Sequence, residues 1–461
     1  MKKIEKFCVE NSLYIFILAL VAFGMIIYIS QASSNVPIMD YWRFLNVLVD
    51  KEFTSGVTFG DLYSNNGVHR SAYELFLFLL NVKIFHWNTQ VSMYFSVFVL
   101  MISALVIYKE MKSFHLRNTM VGNWLSIVSI LIVFSLGAYE IIAQEFATPS
   151  ALRILFFLLL CSLTNKLLKS MDREFDNRTW LAALYYIFVI DLIGGAYSIG
   201  LAVAVLVVIS FDWIYKRKEK KNFNKKNYLV LYFGLLLGIV FYMYHLELGM
   251  QESGVSTGFL ELIGSFVKGL LLVGGISVFG TYISINAAIV LGIVVIGIHA
   301  VCLVIYVAEK LFEKTYVPAV LYIYSCFFYG MIFLGRSGYS VEYLASSRYI
   351  TDSSFAMIAD MMVIFLLMDI NKQAQKKAIL KVFVLIASAF FAVGIISTDI
   401  REIRIAPYRK EYCDNLIEMM KDIDNYTDEE LAPFQASSPE MVRDGVELMR
   451  KYKLGVFWKN E

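Results

Sequence analysis

The stretch PIMDYWRFLN (37–46) sets a carboxylate, two aromatic rings and a guanidinium side by side: Asp40, Tyr41, Trp42 and Arg43. A carboxylate can take a proton from an incoming nucleophile, and an arginine fork can grip phosphate oxygens. The same residues also suit a headgroup belt, where Tyr and Trp settle and Arg snorkels. Acids and arginines recur in three later stretches. The run from SNNGVHR onward brings His69, Arg70 and Glu74, and GAYEIIAQEFATPSALR brings Glu140, Glu145 and Arg153. GRSGYSVEYLASSRYITD adds Arg336, Glu342, Arg348, Tyr349 and Asp352. Brought to one place, these groups suit acid–base chemistry on a phosphate-bearing substrate.

Each also has a plainer reading. Asp40 can form a solvated ion pair with Arg43, His69 can cap a helix starting near Ser71, and Arg348 with Tyr349 can anchor the end of a span. Glu140 and Glu145 stand five apart, so they share no clean helical face.

The medium that must position them is a bilayer. Of 461 residues, 58% are hydrophobic and 17% charged, with a mean hydropathy of +0.62. Soluble domains run at about 45–50% apolar and about 25% charged, so the chain reads as an all-α polytopic membrane protein. No nucleic-acid partner is expected. Five scattered cysteines without a CxxC suggest neither a disulfide framework nor a zinc site. MKKIEK and the apolar run after it resemble a signal peptide, but the run is long and lacks a small-residue cleavage site. An uncleaved first span is expected.

Segments long enough to span lie near 12–32, 90–108, 122–140, 149–168, 179–195, 196–215, 227–247, 284–308, 316–335, 354–370 and 379–397. Two more, 71–88 and 258–282, are ambiguous. If neither spans, the basic stretches KEMKSFHLR, NKLLKSMDREFDNR, YKRKEKKNFNKKN, EKLFEK and NKQAQKKAILK all fall on the cytoplasmic side. That arrangement predicts eleven spans, a cytoplasmic N-terminus, an extracytoplasmic C-terminus and a first outer loop over 33–89. Within 71–88, Arg70, Glu74 and Asn81 fall on one face, as for a helix lying in the interface with its polar stripe toward solvent or a site. The transmembrane unit is expected over 1–398, followed by a small helical tail over 399–461. In that tail Pro407–Asp424 reads as an amphipathic helix, Thr427 with Glu430 as a capping box and Ser438-Pro439 as a helix start.

The order of parts, together with MDYWRF, NNGVHRSAYELFLFLL and SSRYITDSSF, resembles the GT-C fold of integral-membrane glycosyltransferases, in an uncharacterised bacterial branch. The tail segment SSPEMVRDGVELMRKYKLGVF is also similar to that branch's ending. The resemblance implies a polyprenyl-phosphate-linked sugar donor, a cell-surface glycan or lipid-linked acceptor, and a place in the bacterial plasma membrane. It implies Asp40 as general base, with Glu140 and Glu145 both standing where a second-loop acid would. Arg348, helped by Arg70 or Arg336, would hold the lipid phosphate. Trp42 and Tyr349 would pack on sugar or isoprenoid, in a groove beside the spans near 284–370, and His69 and Glu74 would line the substrate site. No organic cofactor is implied. A divalent cation stays open, although the outer loops hold no DxD or ExD pair for a metal-bridged diphosphate. The alternatives are a polysaccharide polymerase or O-antigen ligase, and a lipid-linked oligosaccharide transporter. The near absence of mid-span charge argues against the transporter.

Overall fold

The structure, a computed structural model, describes residues 11–63, 65–66, 69–70, 72–112, 120–172, 177–244, 246, 259–336, 341–370 and 374–458. The protein is an all-α polytopic membrane protein, with eleven described helical segments long and apolar enough to cross a bilayer. A helix is what such sequences must form there, because it satisfies every backbone donor and acceptor within the segment.

In chain order the helices are α1 (Ser12–Ala32), α2 (Tyr41–Thr54), α3 (Ala72–Phe85), α4 (Thr89–Lys112), α5 (Met120–Val133), α6 (Ala147–Lys169) and α7 (Asn177–Phe188). There follow α8 (Ser198–Lys218), α9 (Lys225–Met243), α10 (Phe259–Phe279), α11 (Ile285–Ala308), α12 (Val317–Arg336), α13 (Phe355–Ile370), α14 (Ala374–Lys421) and α15 (Pro439–Tyr452).

By length and apolar content the number of candidate spans equals that of the sequence reading, with one segment added and one just below the length. Leu260–Phe279, expected in the interface, qualifies as a span and packs lengthwise on α11. A Cβ on Gly275 would stand 2.0 Å from the Ala288 carbonyl oxygen, and one on Gly292 would stand 1.7 Å from that of Leu271. Small residues thus let two backbones touch, the usual means of joining helices in lipid. The segment near 179–195 falls just short of the spanning length. Even so, α7 and the π-turn Val189–Ile193 that continues it pack along the whole of α9, from the end where Asn224 donates to the Met171 carbonyl to the end where Asp191 meets Tyr63 and Arg70. By contrast, α3 has 14 residues, about 21 Å, which is too short to span.

Two cores result. One fills the bundle. The other lies over one end of it, where α2 and α3 of the first loop pack against the far half of α14 and against α15. This cap joins residues far apart in sequence. Met39, held at φ 63°, donates its N–H to the Phe434 carbonyl at 3.1 Å, and Gly455 donates to the His86 carbonyl at 2.7 Å. Asn46 reaches the Met441 carbonyl at 2.8 Å. The tail therefore shares one apolar core with the first loop.

A single 48-residue helix connects the two layers. Where the sequence predicts a span over 379–397 and a separate helix from Pro407, α14 runs unbroken from Ala374 to Lys421. Pro407 is exposed, so its missing N–H leaves no buried carbonyl bare.

Candidate functional site

The predicted residues fall into three groups. The first forms around the one-turn helix Ser347–Tyr349. One carboxylate oxygen of Glu140 accepts from Ser346 Oγ at 2.7 Å, Ser347 Oγ at 2.8 Å and the Arg348 N–H at 3.0 Å. Glu140 thus caps this turn through one oxygen and fixes the backbone of Arg348. The Arg348 guanidinium donates from Nε to Ser346 Oγ at 3.1 Å and from Nη2 to the Tyr343 hydroxyl at 2.8 Å. It lies 5.3 Å from the Tyr343 ring, and Arg336 lies 5.6 Å from the same ring. Two guanidiniums therefore share one tyrosine. Among the described residues, no carboxylate comes within ion-pair distance of Arg348. Tyr349 is buried edge-on to Phe328 at 6.3 Å, which leaves it no open face for a sugar.

The second group belongs to the first loop. Asp40 sits at the start of α2 with its side chain 48% exposed and pairs with Arg43 at 3.3 Å. Most other carboxylates of the loop are tied down: Asp50 by Lys451, Glu52 by Lys83 and Asp61 by Lys51. Trp42 does not face a ligand. It is fully buried in the cap, edge-on to Phe434 at 5.3 Å and against Gly445, where a Cβ would lie 2.7 Å from its ring. Its expected stacking role is corrected by its apolar surface, which the cap core consumes.

Arg70 is also buried rather than turned to solvent. Its fork donates to the Phe241 carbonyl at 2.9 Å and to that of Tyr244, over the Tyr63 ring at 4.0 Å, with Asp191 at 3.9 Å. Tyr63 completes the knot with a 2.6 Å hydrogen bond to Asp191. Arg70 therefore pins the loop to the end of α9. Glu74 lies beside it. A Cβ on Gly195, which stands at φ +54°, would be 3.9 Å from Glu74 Oε1 and 3.7 Å from the Arg70 carbonyl. The side chain of His69 lies outside the described residues.

Glu145 is the third placement, and a correction. It is 5% exposed, and Trp87 Nε1 donates to both its oxygens at 2.7 Å. Its backbone carbonyl accepts from Ser92 Oγ at 2.6 Å and from the Tyr41 hydroxyl at 3.4 Å. This carboxyl is sealed between cap and bundle, out of reach of an acceptor. Burial raises its pKa from 4.5 to about 8, opposed only in part by the Trp87 hydrogen bond. The folded state therefore holds the proton more tightly than the unfolded chain does. The resulting stability is complete below pH 4.5 and is lost as pH rises toward 8. Thermal unfolding in detergent should show a midpoint that falls from pH 5 to pH 8. Glu145→Gln, which stays neutral and still accepts from Trp87, should flatten that slope; a wild-type midpoint independent of pH would refute the assignment.

Sequence reasoning missed the pairing that ties these groups to the bundle. Arg153 on α6 meets Asp352 with both fork nitrogens, Nη2 at 2.7 Å, and the Tyr324 hydroxyl donates to the same carboxylate at 2.6 Å. Both charged side chains are buried, and Tyr197 stacks under the guanidinium at 4.2 Å. Arg409 on α14 was also unforeseen. It pairs with Glu402 at 3.0 Å and lies 3.3 Å over Tyr139, the residue before Glu140. A cavity of about 30 Å³ lies between α4, α5, α6 and residues 350–354, with Ser96, Ser135, Ser150, Thr351 and Ser354 among its walls. It is the size of a water, too small for a sugar or an isoprenoid chain. Among the described residues, no group of three or more His, Cys, Asp or Glu side chains is arranged to hold a metal ion.

Fold and site together define a multi-pass membrane protein with a helical cap over one end of its bundle. Comparison with protein families, with curated proteins and with solved structures found no match to this chain in any of the three.

Proposed function

We propose that this protein is a membrane glycosyltransferase of GT-C-like design, moving a sugar from a polyprenyl-phosphate-linked donor to a cell-surface glycan or lipid-linked acceptor. Its capped end would face the outside of a bacterial plasma membrane. The observation that carries the reading is the Arg336–Tyr343–Arg348 arrangement, two guanidiniums around one ring, with Arg348 oriented by Glu140 and Ser346. Such a pair suits a phosphate leaving group, since arginine binds phosphate through a planar fork and stays charged. The acid–base partner is Asp40, whose carboxylate is half exposed at the first turn of the cap. Cap and phosphate site adjoin, because Tyr41 touches Glu145 and Glu140 holds Arg348.

The test is sugar transfer by the purified protein from polyprenyl-phosphate-linked donors, alongside mass spectrometry of surface glycans from a deletion strain. Loss of one sugar residue from the glycans supports the reading, and accumulation of unpolymerised repeat units would replace it with a polymerase. Arg348→Lys keeps the charge but loses the fork, so donor use should weaken about 10-fold or more. Normal donor turnover by a correctly inserted Arg348→Ala would reduce Arg348 to an interfacial anchor.

A further inference from the structure

The end of the bundle away from the cap is marked by unmatched charge. α9 ends against Arg70 of the first loop, so its start lies at the opposite end, with the end of α8 that residues 219–224 join to it. Seven cations crowd between Lys216 and Lys226, with Glu219 as the one acid among them. Two are engaged inside the protein: Lys216 meets Asp212 at 3.1 Å, and Lys221 meets Glu313 at 3.2 Å. Arg217, Lys218, Lys220, Lys225 and Lys226 are exposed, and none pairs with a carboxylate among the described residues. In the cap, by contrast, Lys51, Lys83 and Lys451 each meet an acid.

Two of the five stand where the helix itself disfavours them. Lys225 and Lys226 occupy the first turn of α9, which holds no acid, and the positive end of the helix dipole repels a cation there. The same helix sets them at the head of an apolar stripe. Lys225, Leu229, Phe233, Leu236 and Val240 follow one another at helical spacing, and all are exposed. α7 runs alongside, close enough that a Cβ on Gly234 would stand 2.7 Å from Ala183, and it adds Leu181 and Leu184 to the exposed face. Trp180 stands edge-on to Phe233 at 6.4 Å, and Phe223 of the connection packs on Trp213 at 5.8 Å and on Tyr228 at 5.6 Å. Tryptophan and tyrosine rings at a span end mark the headgroup layer.

A basic connection orients a chain during insertion, but insertion asks only for charge. It gives no reason for cations to head a stripe of lipid-facing side chains. An amphiphile with a phosphodiester at one end and acyl chains below it matches both parts. A zwitterionic headgroup would bring an ammonium to this cluster, whereas a glycerol headgroup leaves the phosphate charge unopposed. We propose that the α8–α9 hairpin is a binding surface for an anionic phospholipid of the phosphatidylglycerol type, in the leaflet opposite the cap. Lys225 and Lys226 hold the phosphate, Arg217, Lys218 and Lys220 enlarge the positive field around it, and the chains lie along Leu229, Phe233 and Leu236. The surface does not depend on what the capped end transfers.

The test is quenching of tryptophan fluorescence in the full-length protein, reconstituted in vesicles of phosphatidylcholine and phosphatidylglycerol with bromine on the acyl chains of one lipid or the other. Trp180 is the reporter, since it is exposed beside Phe233 and its neighbour Thr179 bonds Asn227, next to Lys226, at 3.3 Å. The chain has six tryptophans, so the difference between wild type and Trp180→Phe isolates its signal. Phosphatidylglycerol should be favoured over phosphatidylcholine at Trp180 about fivefold or more, the effect of one basic side chain at an anionic surface. The double variant Lys225→Gln, Lys226→Gln should remove most of that preference. Raising sodium chloride from about 0.1 M to about 1 M, which shortens the screening length from about 10 Å to about 3 Å, should weaken it in the wild type. Equal quenching by the two lipids in the wild type at the lower salt would overturn the proposal, as would a preference unchanged in the double variant. Should the double variant fail to fold, the salt series decides: a preference that falls supports the surface, and one that persists at about 1 M ends it.

Discussion

Asp40→Asn is expected to lower sugar transfer by about 10²–10⁴-fold while insertion and donor binding stay intact. Asparagine keeps the shape of the side chain and can still hydrogen-bond Arg43, but it cannot accept the proton of an incoming hydroxyl. Two controls separate this outcome from loss of the ion pair. Arg43→Gln breaks the same 3.3 Å contact on a partly exposed surface, where such a pair is worth about 0–1 kcal/mol. It should therefore be mild. Glu74→Gln tests the other first-loop carboxylate near the bundle, the one set against Gly195. Near-normal turnover in Asp40→Asn with a dead Glu74→Gln would move the base to Glu74. Equal loss of donor binding and turnover in Asp40→Asn would make Asp40 a binding residue instead.

Arg153→Met should destabilise the protein by about 3–5 kcal/mol, because it leaves the Asp352 carboxylate buried and unpaired. The loss is not the worth of the ion pair. A buried pair replaced as a whole by apolar side chains is often neutral, since two desolvation penalties disappear with one attraction. The triple variant Arg153→Met, Asp352→Leu, Tyr324→Phe removes both charges and the hydroxyl that would otherwise lose its acceptor. It should recover most of the stability in denaturant unfolding in mild detergent. A single variant no worse than the triple would show that Asp352 finds water or a proton instead. Asp352 lies one turn beyond Arg348, so recovered stability need not bring recovered transfer. The pair also fixes where the turn that carries Arg348 sits.

What the sequence discloses is mostly local. The spans are legible because length and apolar content decide them, and the caps are legible because they involve near neighbours. Thr427 and Glu430 form the expected capping box, with Glu430 accepting the Thr427 N–H at 2.8 Å, and Ser438 caps α15 through the Met441 N–H at 3.3 Å. The polar stripe of Arg70 and Asn81 is legible as a stripe, but not its direction. Asn81 bonds the backbone of Asn88 inside the cap, and Arg70 bonds carbonyls at the end of α9. Partners far apart in the chain leave no spacing signal. Arg153 and Asp352 are separated by 199 positions, and Glu140 and Arg348 by 208. Glu145 shows the same gap from another side, since a carboxyl in a loop reads as solvated until Trp87 is seen closing over it. The unbroken α14 is hidden by Pro407, which is tolerated because it stands on the exposed side.

That helix also has a rotational meaning. At 48 residues it is about 72 Å long against a bilayer core of about 30 Å, so its far half is a rigid shaft with the same phase as the half inside the bundle. One residue inserted between Thr398 and Ala406 would turn that far half by about 100° and lift it by about 1.5 Å. Leu416 and Met420 would swing out of the cap core, and Arg409 would leave the ring of Tyr139. Insertions and deletions at this collar are therefore excluded in a way that substitutions are not. A one-residue insertion paired with a one-residue deletion within this collar restores both phase and rise, and should be far better tolerated than either change alone.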